Sequence, residues 1–272
     1  MAEVSARTPA EAVDAYITGA KAKVRTPLGP LAVKAILAGA MIALGAAGSQ
    51  AASHAVSNAG LAKLTAGVLF PMGLMMVVLT GAELFTGDCL LGMAAVRKEI
   101  TWGAAVRVLA VAYVGNLIGA VCIAALVFAA GQLNLGGGAL AAAAIRTAAA
   151  KCSLHFGAAF ASGVLCNVLV CAAVMLALCA RDVTGKLLSC FFLVALFVVS
   201  GYEHCVANMF YIPLGLLAAG DASYAETFGS AIPTALSLGG MLLRNLLPVT
   251  LGNLAGGMLA FGLPLAYTTK KR

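Results

Sequence analysis

The stretch FVVSGYEHCVAN, residues 197–208, decides how this chain must fold. It lies inside an apolar run, 187–217, whose only acidic or basic side chains are Glu203 and His204. An ionisable side chain at membrane depth costs about 2.5–3.5 kcal/mol or more, so it marks a pathway or a satisfied polar joint. Ser200 and Gly201 stand beside it and loosen the helix. A spanning helix can break only where protein or water satisfies the freed backbone. The run therefore predicts a helix broken in mid-membrane, with the working site at the break.

The rest of the chain agrees with that class. Of 272 residues, 62% are hydrophobic and 10% charged, which excludes a soluble domain. Mean hydropathy is +1.01. Thirty-one glycines point to helices packed closely through small residues. Eight cysteines form no CxxC pair and mostly sit in apolar runs, so they read as small hydrophobes, with no metal site, redox role or cofactor expected.

Six spans are expected, at about 31–51, 66–96, 103–130, 153–180, 187–217 and 232–267, joined by short loops. Before them, Thr8, Pro9 and Glu11 form a helix start of the capping-box type. Val13, Tyr16, Ile17 and Ala20 then share one face, which reads as an amphipathic helix on the membrane surface rather than a cleaved signal. With the N-terminus inside, thirteen of the seventeen lysines and arginines fall on the inner side, leaving Lys63, Arg146, Lys151 and Arg244 outside. That bias puts both termini in the cytoplasm and accounts for the net charge of +7 without a nucleic-acid partner.

An internal repeat follows. Thr80-Gly81-Ala82-Glu83 in span two matches Ser200-Gly201-Tyr202-Glu203 in span five. Gly115-Asn116-Leu117-Ile118-Gly119 in span three matches Gly252-Asn253-Leu254-Ala255-Gly256 in span six. Copies of three spans each must be inverted, so the broken second segments meet near the midplane, where transporters bind substrate. Helix N-termini at such breaks favour anions. Glu83 and Glu203 are expected to accept hydrogen bonds from the loosened backbone. Asn116 and Asn253 are expected to cross-link helices. His204 can hold an anion or pass a proton. His155, four residues after Lys151, is expected to share a helix face with it at the outer vestibule.

GAELFTGD (81–88), LCNVLVCAAVMLA (165–177) and SGYEHCVANMFYIP (200–213) resemble the signatures of the formate/nitrite transporter family, whose members carry formate, nitrite or hydrosulfide. The resemblance implies an all-α, aquaporin-like membrane fold of six transmembrane helices with spans two and five interrupted, assembled as a homopentamer with a pore in each protomer. On that resemblance Leu84, Phe85 and Thr86 belong to the loop interrupting span two, with Thr86 facing His204. Phe70, Leu74 and Phe197 match apolar constrictions, and Lys151, Asn167 and Asn208 match polar positions that guide the anion. Asp88 departs from the Asn or small polar residue expected there, and Cys205 stands where Ser is common. Lys151 and Asn167 are 16 apart, roughly 24 Å on one straight helix, so they are expected to serve successive stages.

The expectation is thus a channel in the inner membrane, not an enzyme, for a small monovalent weak-acid anion. Formate is favoured and nitrite or hydrosulfide are the alternatives, with protons and membrane lipid as further partners. Residues 1–30 form a cytoplasmic amphipathic helix, 31–267 the six-span channel domain and 268–272 a basic cytoplasmic tail. A neutral-solute channel is the weaker alternative, since paired Asn-Pro-Ala motifs are absent. A haem protein or membrane enzyme is weaker still, since His54, His155 and His204 offer no i, i+4 pair.

Overall fold

The computed structural model describes residues 6–269 and is helical throughout. The basic tail at 270–272 lies outside the described residues. Helix α1 (Pro9–Arg25) starts on the expected capping box: the Thr8 side chain accepts from the Glu11 amide, and Glu11 accepts from the Thr8 amide at 2.7 Å. Its apolar face, Val13, Tyr16, Ile17 and Ala20, is buried against the protein's own helices rather than turned to lipid. The surface-lying helix of the sequence reading is therefore corrected: four apolar side chains per two turns fit a groove in the protein as well as a bilayer face, and the sequence cannot separate the two.

Six helices among the described residues are long and apolar enough to cross a membrane. The first is α2 (Leu28–Ser53). The second combines α3 (Ala59–Leu69) and α4 (Met72–Thr80), then breaks and continues as the short α5 (Phe85–Asp88) and α6 (Leu91–Val96). The third is α7 (Trp102–Ala129). A helix not foreseen from the sequence, α8 (Ala139–Cys152), follows and packs on a later half-span. The fourth span is α9 (Phe156–Cys179), and the fifth is α10 (Val183–Ser200) with its broken continuation α11 (Cys205–Gly220). A short α12 (Ala222–Phe228) leaves α11 at 101°. The sixth span, Gly240–Thr268, contains α13 (Leu247–Leu254) and α14 (Leu263–Thr268) joined by wide π-helical turns. It begins later than the expected 232.

α8 escaped notice because it is rich in alanine and carries Arg146 and Lys151, so it is too polar and too short to read as a span. It nevertheless buries Leu140, Ala144, Ile145 and Ala148 on one stripe. The small residues let it approach α11 closely; a Cβ on Gly215 would run into Ala148 and the Ala144 carbonyl.

The two GNLxG motifs have a packing cause. Gly115 and Gly119 face the backbone of α2 at Ala35 and Ile36, and Gly252 and Gly256 face α9 at Phe160 and Val164. A side chain at Gly119, Gly252 or Gly256 would collide with backbone, and one at Gly115 with the Ala35 methyl group. Without a hydrophobic drive between helices in lipid, such close approach supplies van der Waals contact and brings the asparagine between the glycines within reach of the neighbouring helix.

Candidate functional site

Spans two and five break in the same way. α4 ends at Thr80 and turns through Gly81 at φ +67°, and α10 ends at Ser200 and turns through Gly201 at φ +74°. That left-handed conformation favours glycine. Four residues later the chain re-enters helix at Phe85 and at Cys205.

Freed backbone groups at both breaks are held by asparagine. Asn116 Oδ1 accepts from the Phe85 amide at 2.9 Å, while its Nδ2 donates to the Glu83 carbonyl at 2.9 Å and to the Ala35 carbonyl at 2.7 Å. Asn253 Oδ1 accepts from the Cys205 amide at 2.9 Å, while its Nδ2 donates to the Glu203 carbonyl at 3.0 Å and the Gly163 carbonyl at 2.8 Å. The glutamate carboxylates do not take the capping role expected of them. An amide side chain fits better, because each break presents both a donor and an acceptor and a carboxylate can serve only the donor.

The carboxylates are instead paired with lysine. Lys151 Nζ lies 2.8 Å from Glu203 Oε1 and 5.5 Å from the centre of the Tyr211 ring. Glu203 Oε2 accepts from Asn208 at 2.6 Å and from Asn245 at 3.3 Å. Asn245 also donates to the Lys151 carbonyl at 3.0 Å. On the other face, Lys23 of α1 lies 2.6 Å from Glu83 Oε2 and 2.5 Å from Asp88 Oδ1. Burial alone would lower the Lys23 ammonium, but the Asp88 and Glu83 carboxylates outweigh it and hold it above the usual lysine range. Lys23 and Asn245 were not singled out from the sequence. Asn245 was legible as a lone amide in the apolar run LLRNLLP, whereas Lys23 looked like one of several basic residues near a helix end.

His204 is 3% exposed and joins the two breaks. Its Nε2 stands 3.0 Å from Thr86 Oγ1. Its Nδ1 accepts from the Ala207 amide at 3.1 Å, so the ring is also the N-cap of α11. An Nδ1 that accepts leaves the proton of the neutral ring on Nε2, which then donates to Thr86. The ring stacks on Phe197 at 5.8 Å and 13°, and Phe197 meets Phe70 edge-on at 5.7 Å.

Three voids adjoin one another here. One of about 280 Å³ is lined by Tyr16, Lys23, Glu83, Leu84 and Asp88. A second, about 430 Å³, is lined by Lys63, Lys151, Glu203, Asn208 and Tyr211. Between them is a chamber of about 10 Å³, the size of one water, walled by Phe70, Leu74, Leu84, Phe197 and His204. Leu74 and Leu84 are shared with the first void, and Phe70, Phe197 and His204 with the second. The structure thus groups Leu74 with Leu84, not with the phenylalanines.

Three other expected residues fall elsewhere. Phe85 is absent from the chamber wall; its ring packs edge-on against Tyr113 at 5.0 Å. Asn167 is fully buried and ties the Thr86 carbonyl (3.2 Å) to the Asn253 carbonyl (2.6 Å). His155 does not share a helix with Lys151, because α8 stops at Cys152 and His155 caps the next helix, accepting from the Gly157 amide. The same stop separates Lys151 from Asn167, so no single straight helix carries both.

The chain as a whole is matched by known proteins. The family model described as "Formate/nitrite transporter" matches residues 10–267. The formate channel FocA of Haemophilus influenzae is 37% identical over 271 residues, covering 97% of this chain and 95% of that protein. A probable formate transporter of Methanothermobacter thermautotrophicus is 36% identical, covering 98% of each. A solved structure described as a pentameric formate channel with formate bound superposes with a TM-score of 0.80 at 32% identity, covering 90% of this chain and 98% of that one. With nearly its whole length aligned to multi-span membrane channels and transporters, this chain belongs to the formate/nitrite transporter family.

Proposed function

We propose that this protein conducts formate through a pore in each protomer, and that the path runs through the three voids past His204. The observation that carries the reading is His204, 3.0 Å from Thr86, in the wall of the narrow chamber between two apolar collars, Leu74 with Leu84 on one side and Phe70 with Phe197 on the other, where both broken spans meet. A bare anion in so small and dry a chamber would cost many kcal/mol. It must therefore pair with a charged His204, or take up a proton and cross as the neutral acid. The Ala207 amide favours the second route. Charging the ring requires a proton on Nδ1, and that removes the N-cap bond of α11. A neutral His204 with Thr86 can instead offer hydrogen bonds to a passing neutral acid. Both routes make flux depend on pH.

The matched hydrogen bonds of Asn116 and Asn253 support two inverted copies, spans one to three and four to six. A homopentamer of aquaporin-like protomers in the inner membrane accords with the pentameric relative. The charge bias supports cytoplasmic termini, with residues 1–30 as a cytoplasmic segment, 31–267 as the channel domain and 268–272 as the tail. Nitrite and hydrosulfide are also small weak-acid anions and fit the same collars.

The test is uptake by liposomes carrying the purified protein, with formate, nitrite and hydrosulfide compared with and without a pH gradient, and His204→Phe alongside. We expect formate to pass, with a pH profile that His204→Phe flattens. An unchanged profile removes the histidine from the mechanism, and a chain that passes none of the three anions overturns the whole reading.

A further inference from the structure

Each mouth of the proposed path holds two lysines, and they differ in kind. At the larger void, the Lys151 ammonium is 2.8 Å from Glu203 and its side chain is 16% exposed. At the smaller void, Lys23 is clamped between Glu83 and Asp88. An ion pair is a dipole whose field dies within a few ångströms, so neither lysine presents a net positive charge to an ion approaching from solvent. Lys63 and Lys186 are otherwise placed. Lys63 lines the same void as Lys151, and Lys186 the same void as Lys23. Neither is in an ion pair with a described residue.

Their placement is crossed. Lys63 stands in the second turn of α3, which begins span two, yet its Nζ lies 3.6 Å from where a Cβ on Gly201 would be, at the break of span five. Lys186 stands in the first turn of α10, which begins span five, and lines the void at Gly81, the break of span two. Each void thus has a cation delivered by the other span, and at Gly201 no side chain stands in the way of Lys63. With the pairs counted, Lys63 leaves its mouth at formal charge +1, since Lys151 and Glu203 cancel. Lys186 brings the other mouth to zero, since Lys23 faces both Glu83 and Asp88.

We propose that Lys63 is the free cation that draws the anion into its mouth and that Lys186 cancels the net negative charge that would repel the anion from the other, while Lys151 and Lys23 act as clamps that hold the broken spans. This rests on the reading of the protein as an anion channel and adds which charges recruit the ion. Recruitment by an exposed charge works through long-range attraction, so it weakens as salt shortens the Debye length from about 30 Å at 0.01 M to about 8 Å at 0.15 M.

The experiment is initial formate flux into liposomes against formate concentration, at low and at physiological ionic strength. The proteins are the wild type, Lys63→Gln, Lys186→Gln, the double glutamine variant and the double Lys→Arg variant, each with a wild-type gel-filtration profile. The double glutamine variant is expected to raise half-saturating formate about 3- to 10-fold at low salt and to lose most of the salt dependence. Its rate at saturating formate should stay near the wild-type value, and the arginine variant should behave as wild type. Wild-type half-saturation and salt dependence in the double glutamine variant, with wild-type protein still carrying formate, overturns this proposal alone. Wild-type vesicles that carry none of the three anions overturn it together with the channel reading.

Discussion

Asn116 and Asn253 make the same three hydrogen bonds in the two halves of the protein. Each accepts from the first amide of a re-entering half-helix, and each donates to the carbonyl of a glutamate and to a carbonyl one helix away. Both are fully buried. The break in each span is therefore a closed polar joint, with donor and acceptor both satisfied where lipid could satisfy neither.

Replacing either asparagine by aspartate tests that joint. Asn116→Asp or Asn253→Asp keeps an acceptor for the amide but loses both donated bonds and sets a carboxylate against two carbonyls. An interhelical bond in a membrane averages only about 0.6 kcal/mol, but orphaning a buried polar group costs about 1–3 kcal/mol. Each variant should therefore unfold at clearly lower temperature in detergent, and the two should fall by similar amounts. A melting temperature equal to wild type for either one would mean that the break is held by something else.

Lys151 and Glu203 should behave as a buried pair, with side chains 16% and 9% exposed. Removing one partner from such a pair costs about 3–5 kcal/mol, because the other charge is left unpaired. Lys151→Met should destabilise more than the double variant Lys151→Met/Glu203→Gln, since the glutamine can keep its bonds with Asn208 and Asn245. Thermal unfolding of the two singles and the double completes the cycle. Effects that simply add would show that the lysine and the carboxylate do not stabilise each other.

Much of this was legible in the sequence, and the parts that were not have physical reasons. The breaks were readable because glycine and an acid stand in runs that should hold neither, and the asparagines because each sits between two glycines. What each acid binds was not readable. Lys23 reaches Glu83 from a helix 60 residues earlier, and Asn245 reaches Glu203 from 42 residues later. Such pairings exist only once the helices are assembled. α8 was missed for a different reason: most of its buried residues are alanine, which gives hydropathy little to detect. Phe85 and Leu84 are adjacent and both apolar, so nothing local shows that Leu84 faces the chamber while Phe85 turns to Tyr113.

Phe197 is the side chain on which size selection should depend. It walls the chamber, meets Phe70 edge-on and supports the His204 ring in a stack. The void there is about 10 Å³, so a larger ion must displace part of the wall, of which Phe197 is one of the bulkiest members. Phe197→Ala removes the ring entirely and risks about 3–5 kcal/mol of stability, which could obscure the result. Phe197→Leu keeps most of the packing while opening the collar. Discrimination of about tenfold is a common consequence of one fewer group in a tight pocket. The lactate-to-formate flux ratio in liposomes should therefore rise by about that factor in Phe197→Leu and further in Phe197→Ala. Formate flux itself should not fall, because the polar contacts of His204 with Thr86 and Ala207 do not involve Phe197. A flux ratio that stays at the wild-type value in a well-folded Phe197→Leu protein would move the size filter to the Leu74–Leu84 collar on the other side of the chamber.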